Sequence, residues 1–232
     1  FVDGRYTLQA NNQSGKIFKI ITIPDKMPSD ILNGKKLTIG FDPNLFTEKS
    51  LLIFFGKNKF KLKPVTQNLI DIIWKRKVIK NNNKFYLLPN EAISENYQLK
   101  INKISKYLEK KKSDFLFVTA SENNAWMLNI RGRDTKYTPI PYSYVLISKN
   151  RDIKFFCDLK KISSSLRKSF KKIKFLDIKA CDKTLLGIKK KKFIIDSNSC
   201  SIFFNSIINK NNKILNLQDP IYLLKAIKGK QE

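Results

Sequence analysis

The 232-residue chain contains no histidine, and that absence excludes more chemistry than any residue present establishes. Without imidazole there is no ordinary metal-binding nitrogen, no usual base for a serine or cysteine nucleophile and no proton carrier near neutral pH. Cysteine is scarce: Cys157, Cys181 and Cys200 are odd in number, widely spaced and set among apolar neighbours. That usage argues against a disulfide framework and fits reduced, buried thiols, which points to a cytoplasmic protein. CxxC, HExxH and calcium-type acidic loops are all missing, so no metal site is expected in this chain. The 8 glycines are scattered, with no phosphate-cradling loop after a strand and no GxSxG elbow. No apolar run approaches the roughly 20 residues of a membrane span. Phe1 opens the chain with neither a basic n-region nor a small-residue cleavage site, so no secretory signal is visible.

Acidic residues are also few. Lys and Arg number 46 against 19 Asp and Glu, a formal charge of +27. A charge of this size invites a nucleic-acid reading. However, Arg occurs only at 5, 76, 131, 133, 151 and 167, whereas base and phosphate readers draw on the bidentate Arg fork. Lys, Asn, Ile and Phe are inflated together, as an AT-rich coding sequence would produce. Diffuse lysine charge without a reader element predicts weak, salt-sensitive attraction to polyanions and no specific nucleic-acid partner.

What is present is 42% hydrophobic residues in alternating strand and helix patterns. The pattern predicts a strand end, a turn at Gly4 and a short helix from the first ten residues, then a strand over "GKIFKIITI" closed by Pro24. A short helix near 27–32, a buried strand ending at Gly40 and Pro43, and a helix capped by Asn44 follow. Beyond a strand over "NKFKLKPV", Leu69, Ile72, Ile73 and Trp74 fall close to one helical face, and low-complexity sequence near 76–84 marks a domain boundary. Ile93, Tyr97, Ile101, Ile104, Tyr107 and Leu108 then keep the spacing of a helix about 17 residues long. "DFLFVTA" reads as a central strand, and the next helix has Ser121 as its cap and Gly132 just past its end. "YSYVLISK" and "IKFFCD" read as a hairpin. Helices near 159–170, 182–188 and 198–208, strands "IKFLDI" and "KFIIDS", and a helix opened by Pro220 complete an α/β chain.

Asp3, Asp42 and Asp134 stand alone in the sequence, as caps, turn residues or ion-pair partners would. The segment 129–144, "NIRGRDTKYTPIPYSY", puts Arg131, Arg133, Asp134 and Lys136 beside Tyr137, Tyr142 and Tyr144 on a Gly/Pro-shaped loop. Such convergence suits a ligand-facing edge, or equally a structural loop in which Arg131 and Asp134 pair with each other.

Several stretches, in collinear order, resemble long-form Xaa-Pro aminopeptidases of the creatinase-like metallopeptidase family. "FVDGRYTLQA" is similar to that family's "TDGRYFLQA", "IGFDPNLFT" to its "GVDP" plus helix, and "VTQNLIDIIW" to "NLVDxIW". "VTASENNAWMLNIRGRDTKYTPIPYSY" resembles "VTALDSIAWLLNIRGSDIPYNPVFLSY", and "KAIKGKQE" resembles the family's "KAIKNxxE". Arg133 departs from the family's Ser, and the lysine run 189–192 has no counterpart there. The resemblance implies two creatinase-like N-terminal α/β domains with mixed sheets flanked by helices. Residues 1–76 would be an incomplete first domain, 77–218 the second, and 219–232 a lead-in to a catalytic domain outside the chain. It implies an enzyme that removes the residue preceding proline from peptides, a homodimer, and two manganese ions in that other domain. No catalytic residue is expected here; Arg131, Asp134 and Tyr137 are the candidates for substrate access. The alternatives are a stand-alone basic polyanion-binding module and a catalytically dead regulatory module.

Overall fold

A computed structural model describes residues 1–56, 60–74, 81–170 and 172–229. The chain divides into two compact units, Phe1–Trp74 and Lys75–Glu232. Part of the boundary expected near 76–84, and the tail 230–232, lie outside the described residues.

The first unit is built from short elements: β1 (Val2–Asp3), α1 (Thr7–Ser14), β2 (Thr22–Ile23), α2 (Pro28–Ile31), β3 (Thr38–Phe41), α3 (Glu48–Phe55), β4 (Lys61–Pro64) and α4 (Leu69–Ile73). β1 pairs with β2 and β3 with β4, both in parallel. Sheets this narrow bury little, so β3, expected to be a buried strand, is buried only at Phe41. The expected strand over "GKIFKIITI" shrinks to Thr22–Ile23 because only these residues find a partner. Asn44 does not cap the third helix. Its N–H bonds Asp42 Oδ1 at 2.9 Å, and Thr47 and Ser50 cap α3 reciprocally through Ser50 N–H to Thr47 Oγ1 (3.1 Å) and Thr47 N–H to Ser50 Oγ (2.8 Å). Phe41, Phe46, Phe54, Phe55 and Phe60 form a chain of ring contacts with centroids 6.1–6.4 Å apart. Leu69, Ile72, Ile73 and Trp74 are exposed.

The second unit contains β5 (Tyr86–Leu87), α5 (Tyr97–Lys110), β6 (Phe115–Val118), α6 (Ser121–Leu128), β7 (Ile130–Arg131), β8 (Tyr144–Ser148), β9 (Ile153–Cys157), α7 (Ser164–Ser169), β10 (Ile173–Asp177), α8 (Cys181–Gly187), β11 (Lys192–Ile195), α9 (Ile202–Asn209), β12 (Lys213–Asn216) and α10 (Ile221–Ala226). Its sheet has the order β10-β9-β8-β6-β11-β12. Only β8 runs against the others, so the remaining five strands share one amino edge and one carboxyl edge. β8 and β9 form the hairpin that the sequence suggests.

Strand alternation sorts the core into two layers. Leu116, Val118, Val145, Ile147, Phe155 and Ile194 face one way and pack with Ile101, Ile104 and Leu108 of α5 and Met127 and Leu128 of α6. Phe117, Leu146, Phe156, Phe193 and Ile195 face the other and pack with Leu185 of α8 and Phe204 and Ile208 of α9. The three thiols are buried in these layers; burial pushes Cys157 up to about 12, which makes it a packing group rather than a nucleophile.

Helix limits move where side-chain caps decide them. α5 starts at Tyr97, not Ile93, because Asn96 Oδ1 accepts from Leu99 N–H at 3.0 Å. Ser121 is not the cap of α6; it is the first helical residue, and its hydroxyl donates to the Ser143 carbonyl at 3.2 Å. The region 159–170 splits into a 3-10 turn (Leu159–Lys161) and α7, capped by Ser163. The sequence reading missed β12, whose short "KILN", half-buried only at Ile214 and Leu215, lies on a sheet edge.

Candidate functional site

The segment 129–144 leaves the end of α6 and arrives at β8, on the carboxyl edge of the sheet, the edge at which open α/β sheets usually place ligands. α6 ends at Asn129, which adopts φ 55° and ψ 27° with its N–H turned back to the Ala125 and Trp126 carbonyls. An asparagine tolerates this left-handed geometry, and it stops the helix three residues before Gly132, where a stop was expected. The Asn129 side chain fixes the corner: Oδ1 accepts from buried Lys100 Nζ at 2.7 Å and Nδ2 donates to the Glu95 carbonyl at 3.0 Å. Ile130 and Arg131 then pair with Leu87 and Tyr86, a short ladder the sequence did not suggest. Gly132 is needed for space, since a Cβ there would lie 2.8 Å from Pro141 Cα.

The three candidate residues have different surroundings. Arg131 Nη1 donates to the Ala125 and Ile130 carbonyls at 3.0 and 3.1 Å, covering the end of α6. Asp134 accepts from Tyr142 N–H at 2.6 Å and forms an ion pair with Lys161, whose side chain is nearly as buried as its own. Lys161, following β9, carries no motif that could have announced this role. Tyr137 sits at the corner of the turn Thr135–Thr138 with φ 65° and is 91% exposed, with Lys136 Nζ 4.9 Å from its ring centroid. Two of the candidates thus hold the loop, and the third projects from it. Tyr142 and Tyr144 join hydroxyls at 2.8 Å beside the turn, and burial raises the Tyr144 phenol. Asn124 and Ser121 anchor the loop's end through the Ser143 backbone, with Asn124 Nδ2 2.9 Å from its carbonyl.

Next to this loop end, the same edge holds a buried polar network. Asp219 accepts from Asn123 Nδ2 at 2.7 Å and from Ile221 N–H at 2.9 Å, while its own N–H bonds Asp196 Oδ2 at 2.9 Å. Lys225 Nζ reaches Asn123 Oδ1 at 2.6 Å, tying α10 to α6. Desolvation pushes the Asp219 carboxyl up to about 6, against the two donated hydrogen bonds and with help from the Asp196 charge. Asp3 and Asp42 take turn and cap roles: Asp3 pairs with Arg5 at 2.9 Å, and Asp42 accepts from Asn68 Nδ2 at 3.0 Å.

Among the described residues, no three His, Cys, Asp or Glu side chains come together as a metal cluster requires. The thiols are buried, and Asp134, Asp196 and Asp219 are engaged by a cation, amides or backbone N–H groups. This donor set does not fit a resident metal. Among the described residues no helix is long and apolar enough to cross a membrane.

Residues 76–232 match the family of creatinase/prolidase N-terminal domains. The chain is 27% identical over 249 residues to a probable Xaa-Pro aminopeptidase P of Laccaria bicolor, covering 100% of this chain and 38% of that protein. It is 29% identical over 256 residues to a probable Xaa-Pro aminopeptidase P of Paracoccidioides brasiliensis, covering 99% and 41%. It therefore spans about two fifths of the length of these relatives. The fold matches that of X-prolyl aminopeptidase from Caenorhabditis elegans, a cytosolic enzyme with a di-nuclear active site, with TM-score 0.83 and 24% identity over 99% of this chain and 40% of that one. The chain belongs to the creatinase/prolidase N-terminal domain family.

Proposed function

We propose that this chain is the non-catalytic front portion of a cytoplasmic Xaa-Pro aminopeptidase, an enzyme that removes the N-terminal residue preceding proline. The observation that carries this reading is the similarity, along 99–100% of the chain, to Xaa-Pro aminopeptidase P proteins more than twice its length. Bond breaking belongs to a separate metal-binding domain, with two manganese ions and a metal-activated water as the chemistry supplied there. The partners are that catalytic domain, a second copy of the enzyme and the peptide substrate. Residues 1–76, 77–218 and 219–232 then act as a first domain, a second domain and a lead-in.

The loop 129–144 is the part of this chain assigned to substrate access. Arg131 and Asp134 fix its shape, and Tyr137 with Lys136 offers an exposed aromatic and cationic tip to a passing peptide. Rigid placement of a loop on a packed sheet lowers the entropy lost when substrate docks. The test uses the chain alone with proline-second peptides and Mn²⁺. No turnover and no stoichiometric manganese binding are expected. Turnover above blank, or micromolar calorimetric binding of Mn²⁺, would sink the reading.

A further inference from the structure

Lysine is concentrated in the second unit in a way the sequence does not reveal. Because five strands share a direction, the loops entering them share the amino edge of the sheet. Lys110 ends α5 with Lys111 and Lys112 in the loop before β6, Lys189–Lys191 precede β11 and Lys192 opens it, and Lys210 and Lys213 flank the turn before β12. Lys149 leaves antiparallel β8 at the same edge. At the carboxyl edge Asp158 and Asp196 follow strands and Asp177 ends one, each capping the next turn, with Lys160, Lys161 and Lys179 in the same turns.

Lys190, Lys191, Lys192, Lys210 and Lys213 line a concavity of about 540 Å³ together with asparagines and Asp114. Glu109 is the penultimate residue of α5, next to Lys110. Asp114 is already engaged: Oδ1 pairs with Lys149 Nζ at 3.0 Å, and Oδ2 accepts from Lys192 N–H at 3.0 Å, which holds its carboxyl below the usual range. Among the described residues, no carboxylate forms an ion pair with Lys190, Lys210 or Lys213, while Lys191 lies in the field of Asp114. The backbone beneath them is fixed. Asn212, itself 9% exposed, donates to the Ile188 carbonyl at 2.8 Å and accepts from Lys191 N–H at 3.0 Å, and Lys190 N–H bonds the Asn211 carbonyl at 2.8 Å. Four ammonium groups, of which only that of Lys191 is partly offset by Asp114, therefore sit on two loops held together before any ligand arrives.

We propose that this amino edge binds the phosphate backbone of duplex nucleic acid, without regard to base sequence. The lining contains no aromatic or aliphatic side chain. An acidic protein partner would be expected to meet an apolar core within a polar rim, and single strands to meet aromatic stacking platforms. A duplex presents phosphates alone at its rim, which lysine point charges neutralise without directional demands. Four neutralised phosphates imply a slope of about −3.6 in log affinity against log salt, or about 150-fold weaker binding between 50 and 200 mM.

The test is fluorescence anisotropy of a labelled 20-base-pair DNA duplex over a salt series with the whole chain. Lys190→Gln/Lys191→Gln/Lys210→Gln should flatten the slope by about 2.7, and Lys210→Gln or Lys213→Gln alone by about 0.9 each. Lys26→Gln/Lys35→Gln/Lys36→Gln in the first unit should leave it unchanged. The single variants decide the case if the triple variant fails to fold. The proposal is overturned if the edge variants keep the wild-type slope or if the first-unit control lowers it equally. Equal competition by a polyglutamate peptide of matched charge would instead identify an acidic protein partner, and tighter binding of a 20-nucleotide single strand would also overturn it.

Discussion

Replacing Asp134 by alanine separates the two roles that the 129–144 loop could play. Asp134 and Lys161 are 11% and 12% exposed, so the ion pair is largely out of water. Removing one member of a buried pair usually costs about 3–5 kcal/mol, because the other charge is left uncompensated. Residual exposure places this pair at the lower end, and the Tyr142 N–H also loses its acceptor. A loss of about 3 kcal/mol is expected, equivalent to about 6–12 °C in Tm for a unit of this size. The assay is urea and thermal unfolding of the chain. Asp134→Ala/Lys161→Met leaves no orphaned charge and should recover at least about 1 kcal/mol relative to Asp134→Ala. Stability of Asp134→Ala within about 0.5 kcal/mol of wild type, or simple additivity in the double variant, would refute the reasoning.

The remaining expectations concern the other candidates and the buried network. Arg131→Ala removes hydrogen bonds to the Ala125 and Ile130 carbonyls and should lower stability by about 1.5 kcal/mol while sparing kcat/KM in the full-length polypeptide. A loss of kcat/KM with unchanged Tm would return Arg131 to peptide contact. Tyr137→Gly relieves a φ of 65° and should stabilise by about 1 kcal/mol, yet lower kcat/KM if the ring guides substrate; unchanged kinetics would remove Tyr137 from the site. Asp219, raised from 3.8 to about 6, binds its proton more tightly in the folded state, so stability should fall as pH rises from about 4 to 6, by up to about 3 kcal/mol. Asp219→Asn should flatten that dependence in Tm measured against pH, and an unchanged slope would assign it to another group.

The second unit was largely legible because its strands are strongly apolar and its helices carry strong periodicity, as in Ile101, Ile104 and Leu108. The readings that moved were decided by side-chain hydrogen bonds that spacing does not encode. Thr47 outcompetes Asn44 because Ser50 reciprocates, and Asn129 ends α6 because Lys100, far along the chain, holds its amide. β12 escaped notice because a four-residue edge strand with two apolar residues gains its identity from a parallel neighbour. For the loop, composition showed where polar and aromatic groups gather. It could not show that Asp134 would find Lys161, a contact across 27 positions. The lysine surplus read as diffuse, yet topology gathers part of it at one edge, since only strand direction tells which loops are neighbours.

The most direct test of the central claim is the release of N-terminal residues by the full-length polypeptide that carries this chain, compared between peptides with proline and with alanine at the second position. The account expects release from the proline peptide, at least about 100-fold slower release from the alanine peptide, and none from either by residues 1–232 alone. Equal rates on both peptides, or cleavage by the chain alone, would contradict it.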